Sequence, residues 1–398
     1  MKNVIGYFFS PATYLVYNMR QRKVDKRWDG LLISTYFAML GFFFIPNSTS
    51  DLNRYFVILD GIRSQPILKY FSGWSMYDVV LSLQKIYFFL IASLGNNHFL
   101  PAITMFIVYF IGLWMIYDQG KNGSVTFMEY RVAQITFLLL VPFAMIVNNT
   151  RNILAVAVFI LALYVESFHQ DKLRIWLVLY IASMSIHSGV WPFIVIRLLL
   201  EMVNLWRKRK FKMFWATSLF FSMALTFLSF LPMGRMYIDK AISYISGGQT
   251  DSKLQKWFAQ VDSSFFAVSI KRSFLLLGGA AIIFLWLNRK VLLKKTPFNL
   301  YVFSVISAVL LIFFALRPGT TWYRFVFPIY FLIPLFIPVS IKLFQNVRKT
   351  KTKIYIVFAV MFFLMLLVAQ QLYQIKNQTG FSILQLLGFI FPWIWIFI

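Results

Sequence analysis

Apolar runs of about twenty residues recur from one end of this 398-residue chain to the other, and short basic clusters separate them. A helix needs roughly 20 apolar residues to cross about 30 Å of hydrocarbon. It is also the one open-chain element that satisfies its own backbone polar groups in lipid. The pattern therefore predicts an all-α, polytopic integral membrane protein. Spans are expected near 3–19, 30–46, 98–117, 131–147, 152–168, 173–187 and 189–206. Others are expected near 213–231, 263–287, 297–316, 325–343, 354–372 and 382–398. This makes about 13 transmembrane helices in a single transmembrane domain, 1–398, with no soluble domain attached. Residues 3–19 read as a retained span, since Lys2 alone makes a thin basic leader and no small-residue cleavage site precedes Arg20. Composition agrees: the chain is 60% hydrophobic and 13% charged, where a soluble domain is about 45–50% apolar and about 25% charged.

The net charge of +26 is distributed as a membrane topology signal rather than as a nucleic-acid footprint. It falls in loops: RQRKVDKR at 20–27, RKRKFK at 207–212, RKVLLKK at 289–295 and RKTKTK at 348–353. Lys and Arg concentrate on the cytoplasmic side of membrane proteins. Six, two and two expected spans separate these clusters, so all four fall on one side. With 118–130 and 169–174 added, the loops of that side hold 21 of the 39 Lys and Arg in 53 residues. Nucleic acid is not an expected partner; the lipid bilayer is. With no cysteine, thiol catalysis and thiolate metal sites are excluded.

The same parity makes 78–97, which carries Asp78, Gln84 and Lys85, an amphipathic helix on the outer face, interfacial or re-entrant, because a crossing there would invert every later loop. The alternative is a true span offset by the loss of another. Two long outer loops are expected, near 47–77 and 232–262, and long loops of ordered composition are usually functional.

Four constellations on that outer side carry chemistry. SDLNRYF at 50–56 offers Asp51, Arg54 and the sugar-stacking ring of Tyr55, although Ser50 or Asp51 can equally cap a helix there. NNTRNILAVAVF at 148–159 sets Arg151 among Asn148, Asn149 and Asn152 where a helix begins. Backbone N–H groups at a helix N-terminus and a bidentate guanidinium together suit an anion, while a lipid-anchoring Arg is the plainer reading. IASMSIHSGVWPF at 181–193 places His187 and Ser188 in a tight turn at the membrane boundary. Ionisable groups there are costly, and histidine accepts a proton near neutral pH, although a boundary histidine bonded to a carbonyl remains open. Lys271, Arg272, Arg317, Arg324 and Arg235 add outer-side cations facing few acids, consistent with an anionic ligand such as a lipid diphosphate, and Trp322–Tyr323 lie beside them. Arg197 and Glu201 are spaced to pair on one helix. No metal site or cofactor is expected: HExxH, GxxxxGK[ST] and GxGxxG are all missing, and Asp51 with Asp60 makes at most a weak acidic pair.

At these residues the chain resembles the EpsG-like and Wzy-type family of bacterial polysaccharide polymerases. The matching features are Asp51-x-x-Arg54-Tyr55 after the second span, Asn148-x-x-Arg151 opening an Ala-rich apolar helix, and Ile181-Ala182-x-x-x-x-His187-Ser188 followed by Trp191 and Pro192. They cover roughly 30–200; beyond that the likeness is a large outer loop and a late Tyr323–Arg324. The chain departs from the family pattern at Asn53–Arg54, where a second acid and a Tyr are common, and at Asn152, where Gln often follows the Arg. These departures weigh against a paired-carboxylate mechanism. The resemblance implies a GT-C-like membrane glycosyltransferase in the bacterial cytoplasmic membrane. It would polymerise undecaprenyl-diphosphate-linked oligosaccharide repeat units at the outer side, with a chain-length regulator as a further partner. Arg151 would stabilise the leaving diphosphate, His187 or Asp51 would act as base, and the other polar residues named above would bind substrate. A precursor flippase or transporter and a lipid-linked glycan ligase are the rival readings; the absence of an internal repeat argues against the transporter.

Overall fold

The computed structural model describes residues 26–46, 50–122, 126–210, 265–316 and 322–345, with a few positions between 213 and 223. Among these, all regular structure is helical. The expected spans at 3–19, 354–372 and 382–398, most of that at 213–231, and the loop at 232–262 lie outside the described residues. Contacts divide the chain into two compact units, Met1–Ser188 with Tyr330–Ile398, and Gly189–Ile329.

The first unit contains α1 (Lys26–Phe42), α2 (Asp51–Arg63), α3 (Ile67–Ser72), α4 (Met76–Val80), α5 (Ser82–Ser93) and α6 (Phe99–Asn122). It continues through α7 (Phe127–Leu140), α8 (Phe143–Asn148), α9 (Thr150–Phe168) and α10 (Leu173–Ile186). α6 is the hub, packed on α1, α7 and α9. Small residues permit the close approach, as is general for helices in lipid. A Cβ on Gly41 of α1 would stand 2.9 Å from the Pro101 carbonyl oxygen, and one on Gly112 of α6 would fall 2.1 Å from the Phe137 ring. Between these contacts Phe37 and Tyr109 stack with centroids 3.7 Å apart.

The expected span at 131–147 is interrupted. Pro142 has no N–H to donate and drives the preceding residue out of the α region, so Val141 is extended (φ −82°, ψ 105°) and the helix stops at Leu140. The Val141 carbonyl, released from the helix, accepts the buried Tyr109 hydroxyl at 3.2 Å. A broken helix persists at this depth because a neighbour satisfies the freed group.

The opposite end of this helix is clamped. Thr126 and Glu129 form a reciprocal capping box. Arg131 then reaches Asp29 at the start of α1 at 2.8 Å, with the two side chains only 6% and 1% exposed. Gln134 accepts from Arg131 at 2.8 Å and donates to the Tyr130 hydroxyl at 2.8 Å, so the pair sits in a hydrogen-bonded network. Near the ends of α6 and α9, Asp118 accepts from the Tyr164 hydroxyl at 2.9 Å and pairs with His169 at 2.8 Å.

The second unit contains α11 (Trp191–Arg207), α12 (Phe265–Leu287), α13 (Arg289–Lys295), α14 (Phe298–Ala315) and the start of α15 (Trp322–Gln345). α14 packs on α12 and α11, and Phe193 meets Phe303 and Phe325 edge-on at 6.1 and 5.5 Å. Arg197 and Glu201 pair at 3.3 Å, as their spacing predicts.

Among the described residues, five helices are long and apolar enough to cross a membrane, or six if the bent pair α12–α13 counts as one. Apart from the broken 131–147, each expected span that falls on described residues is one helix, but α1 and α10 are shorter than a full crossing. Segment 78–97 is not one long helix. It forms α4 and α5, and the 12 residues of α5 rise about 18 Å, short of the roughly 30 Å of hydrocarbon. Its Gln84, Phe88, Ile91 and Ala92 turn inward while Leu83, Ile86 and Leu90 remain exposed, which suits a short helix set between protein and lipid.

Candidate functional site

Tyr55, Arg151 and the turn before His187 come from three motifs far apart in sequence, and the first unit brings them together. Ser50 caps α2 by accepting from the Asn53 N–H at 3.2 Å, which starts the helix one residue before Asp51. The far end of α2 is tied down by Arg63, which bonds Asp60 at 2.9 Å, Asn97 at 2.7 Å and the Ala92 carbonyl at 3.2 Å. Fixed at both ends, α2 buries Leu52, Tyr55, Leu59 and Ile62. Tyr55 thus points inward, its ring 5.8 Å from Phe88 of α5.

Arg151 lies in the first turn of α9, directly after the Asn149 N-cap. Its Nε donates to the Tyr55 hydroxyl at 3.1 Å, and its guanidinium carbon stands 4.7 Å from the Tyr55 ring centroid. Gln84 of α5 supplies the second contact. In the amide orientation that satisfies both its ends, it accepts from Arg151 Nη1 at 2.9 Å and donates to the Ile186 carbonyl at 3.1 Å. Ile186 is the last residue of α10 and His187 is its C-cap, held extended (φ −158°, ψ 130°). One buried amide therefore connects the arginine to the histidine turn.

The electrostatics of this cluster are one-sided. Arg151 is partnered by a phenol and an amide, and among the described residues no carboxylate pairs with it. A cation at a helix N-terminus also opposes the helix dipole, a placement that costs roughly 0.3–1 kcal/mol. In the same turn Asn152 is 5% exposed and Thr150 is fully enclosed, and among the described residues neither Asn152 amide atom nor Thr150 Oγ1 has a hydrogen-bond partner. Unmade bonds on buried groups cost about 1–3 kcal/mol each. Asn148, the last residue of α8, is buried next to this turn. An anion with several acceptor oxygens would satisfy the Asn152 Nδ2 and Thr150 Oγ1 donors.

Asp51 and Arg54 take a different position. They pair with each other at 3.0 Å on the exposed side of α2, and Arg54 stands 5.8 Å from the Tyr55 ring. Asp60 is likewise held by Arg63. The two aspartates of the weak acidic pair are thus both engaged by arginines, and no group of three metal-ligating side chains gathers among the described residues. Lys271, Arg272 and Arg324 belong to the second unit, where Arg272 is exposed and Arg324 half-buried on the first turn of α15. Tyr323 begins that same helix, and Arg317 and Arg235 fall outside the described residues.

Two neighbours of the site have perturbed proton affinities. Burial raises the Asp78 carboxyl, but hydrogen bonds and charge from Lys85 and two hydrogen bonds from Ser75 outweigh it and leave it below the usual carboxylate range. His98, tilted against Phe56 of α2 at 5.1 Å, is pushed below the usual imidazole range by burial, against hydrogen bonds to the backbone of Phe42 and Phe44.

Gln84 is the functional candidate that the motifs did not contain. Its one mark in the sequence is being an amide that, with Lys85, interrupts the apolar run from Val79 to Ala92, where a polar group must find partners. No family model, curated protein or solved structure matches the chain.

Proposed function

We propose that the chain is a membrane glycosyltransferase that polymerises undecaprenyl-diphosphate-linked oligosaccharide repeat units, with the Arg151 cluster receiving the diphosphate. The observation that carries this reading is the single contact set joining Tyr55, Arg151 and the carbonyl before His187 through Gln84. An arginine with neutral partners at a helix N-terminus, beside orphaned amide and hydroxyl groups, favours a ligand of concentrated negative charge.

In this reaction an acceptor sugar hydroxyl attacks the anomeric carbon of the donor glycan. The new C–O bond forms as the bond to the diphosphate breaks, and undecaprenyl diphosphate leaves with the electron pair. Arg151 stabilises the charge that grows on the phosphate oxygens, a contribution that is largest in a preorganised, water-poor site. The hydroxyl proton passes to a base. Asp51 is already engaged by Arg54 on the exposed side of α2, so the proposal assigns the base to His187 and gives the Asp51–Arg54 pair and Tyr55 the task of holding the acceptor glycan.

The test is the purified chain in liposomes with lipid-diphosphate-linked repeat units. A ladder of lengthened glycans with release of undecaprenyl diphosphate is expected, and His187→Ala should slow the ladder by about 10²-fold. Transport of the lipid-linked unit with no lengthening would move the chain to the flippase reading. Full turnover in His187→Ala with loss in Asp51→Asn would move the base to Asp51.

A further inference from the structure

Two basic clusters of the second unit, 207–210 and 289–295, meet at the first turn of α14. The Arg207 guanidinium stands 3.9 Å over the Phe298 ring, while α13 packs against α14 from the other cluster. The Tyr301 hydroxyl, one turn further on, donates to the Leu285 carbonyl at 3.3 Å and fixes the end of α12. There the chain bends by 73° into α13, which carries Arg289, Lys290, Lys294 and Lys295, all exposed. Residues 207–210 are exposed as well, and neither 205–210 nor 286–299 contains an acid. Eight like charges at one end of a compact unit repel one another, and nothing in these segments offsets them.

The backbone places one of these cations in a strained position. α11 ends in a Schellman motif, with Lys210 N–H donating to the Leu205 carbonyl and Arg209 N–H to that of Trp206. The C′ position of this motif needs a left-handed residue, for which glycine carries no steric penalty. Here it is Arg209, at φ 55°.

The apolar flank identifies the partner. Trp206 and Trp286 are 54% and 60% exposed beside the two clusters, and Arg289 stands 4.7 Å over the Trp286 ring. Exposed tryptophan beside Lys and Arg is the composition of the membrane–water boundary, where rings sit at head-group depth and cations among lipid phosphates. Asn299, beside Phe298, keeps a buried Oδ1 with no hydrogen-bond partner, an acceptor for a head-group hydroxyl. We propose that the first turn of α14, with Arg207–Lys210 and α13, is a seat for an anionic phospholipid of the phosphatidylglycerol class.

The experiment compares thermal unfolding of the purified full chain in nanodiscs of phosphatidylcholine with and without phosphatidylglycerol, alongside detergent samples given inorganic phosphate. Phosphatidylglycerol should raise Tm by about 4 °C, as expected for a ligand that binds the folded state. The combined variant Arg209→Gly, Lys290→Gln, Lys294→Gln, Lys295→Gln should lose that rise while unfolding in phosphatidylcholine as the parent does. Arg209→Gly alone, which relaxes the backbone and removes one cation, guards against misfolding and should lose part of the rise. An undiminished rise in either variant overturns the seat. So does an equal rise from inorganic phosphate, which would reassign the site to a free anion.

Discussion

Arg131 and Arg151 lie on helices of the same unit, and their surroundings are opposite. Arg131 is enclosed with a carboxylate, Asp29, at 2.8 Å, and Gln134 and the Phe127 ring lie beside it. Arg151 meets a phenol, an amide and the positive end of a helix. A buried charge with its counterion built in is complete, and it serves to fix the start of α1 against α7. A charge supplied only with neutral partners leaves its counterion to come from outside. The first arrangement is architecture, and the second is what the proposed diphosphate site calls for.

Three changes break or sharpen this contrast. The largest effect is expected from Asp29→Ala. It strands the Arg131 charge in a closed site, which costs about 3–5 kcal/mol, and the protein should melt early or fail to accumulate. Replacing both members, as in Asp29→Leu with Arg131→Met, should recover most of the loss. An Asp29→Ala protein that unfolds like the parent would show that Arg131 does not depend on its partner.

Next is Gln84→Leu, nearly matched in volume, which cuts the connection between Arg151 and the α10 carbonyl. Glycan lengthening should fall about tenfold through misplacement of Arg151, with Gln84→Glu failing to rescue it. Unchanged turnover in Gln84→Leu would reduce the amide to packing.

The smallest effect is a pH dependence beside α2. Because burial lowers the His98 pKa, the folded state binds a proton there less readily than the unfolded state. The stability contribution is therefore present above the unfolded value of about 6.5 and declines as pH falls below it. Hydrogen-exchange protection factors at residues 96–100, corrected for the intrinsic pH dependence of amide exchange, should fall between about pH 7 and 5, and His98→Gln should flatten that change.

Five of the expected spans were legible in the sequence because a long apolar run folds as one helix, and the Arg197–Glu201 pair because its spacing lies within one helix. The break at 141–142 carried its mark in Pro142, yet the compensating Tyr109 hydroxyl arrives from another helix and leaves no local trace. Asp29 stood inside a basic cluster that reads as a solvated loop, and its partner lies a hundred residues away. The Asp118, Tyr164 and His169 cluster escaped for the same reason. Of the candidate site, Asp51, Tyr55, Arg151 and His187 were legible as separate residues. Asp51 proved to be engaged by Arg54, and Gln84, which joins two of the motifs, was legible only as a polar oddity.

The most direct test is Arg151→Lys, assayed for Tm and for glycan lengthening in one preparation. Lysine keeps the charge and loses the planar fork that bonds Tyr55 and Gln84 and, in the proposed reaction, the diphosphate. The account predicts a Tm within about 2 °C of the parent, as for a half-exposed residue outside the core, and a loss of lengthening of about 10²-fold or more. Near-normal lengthening would make Arg151 a lipid anchor and contradict the account. Collapse of the fold would make it a second Arg131.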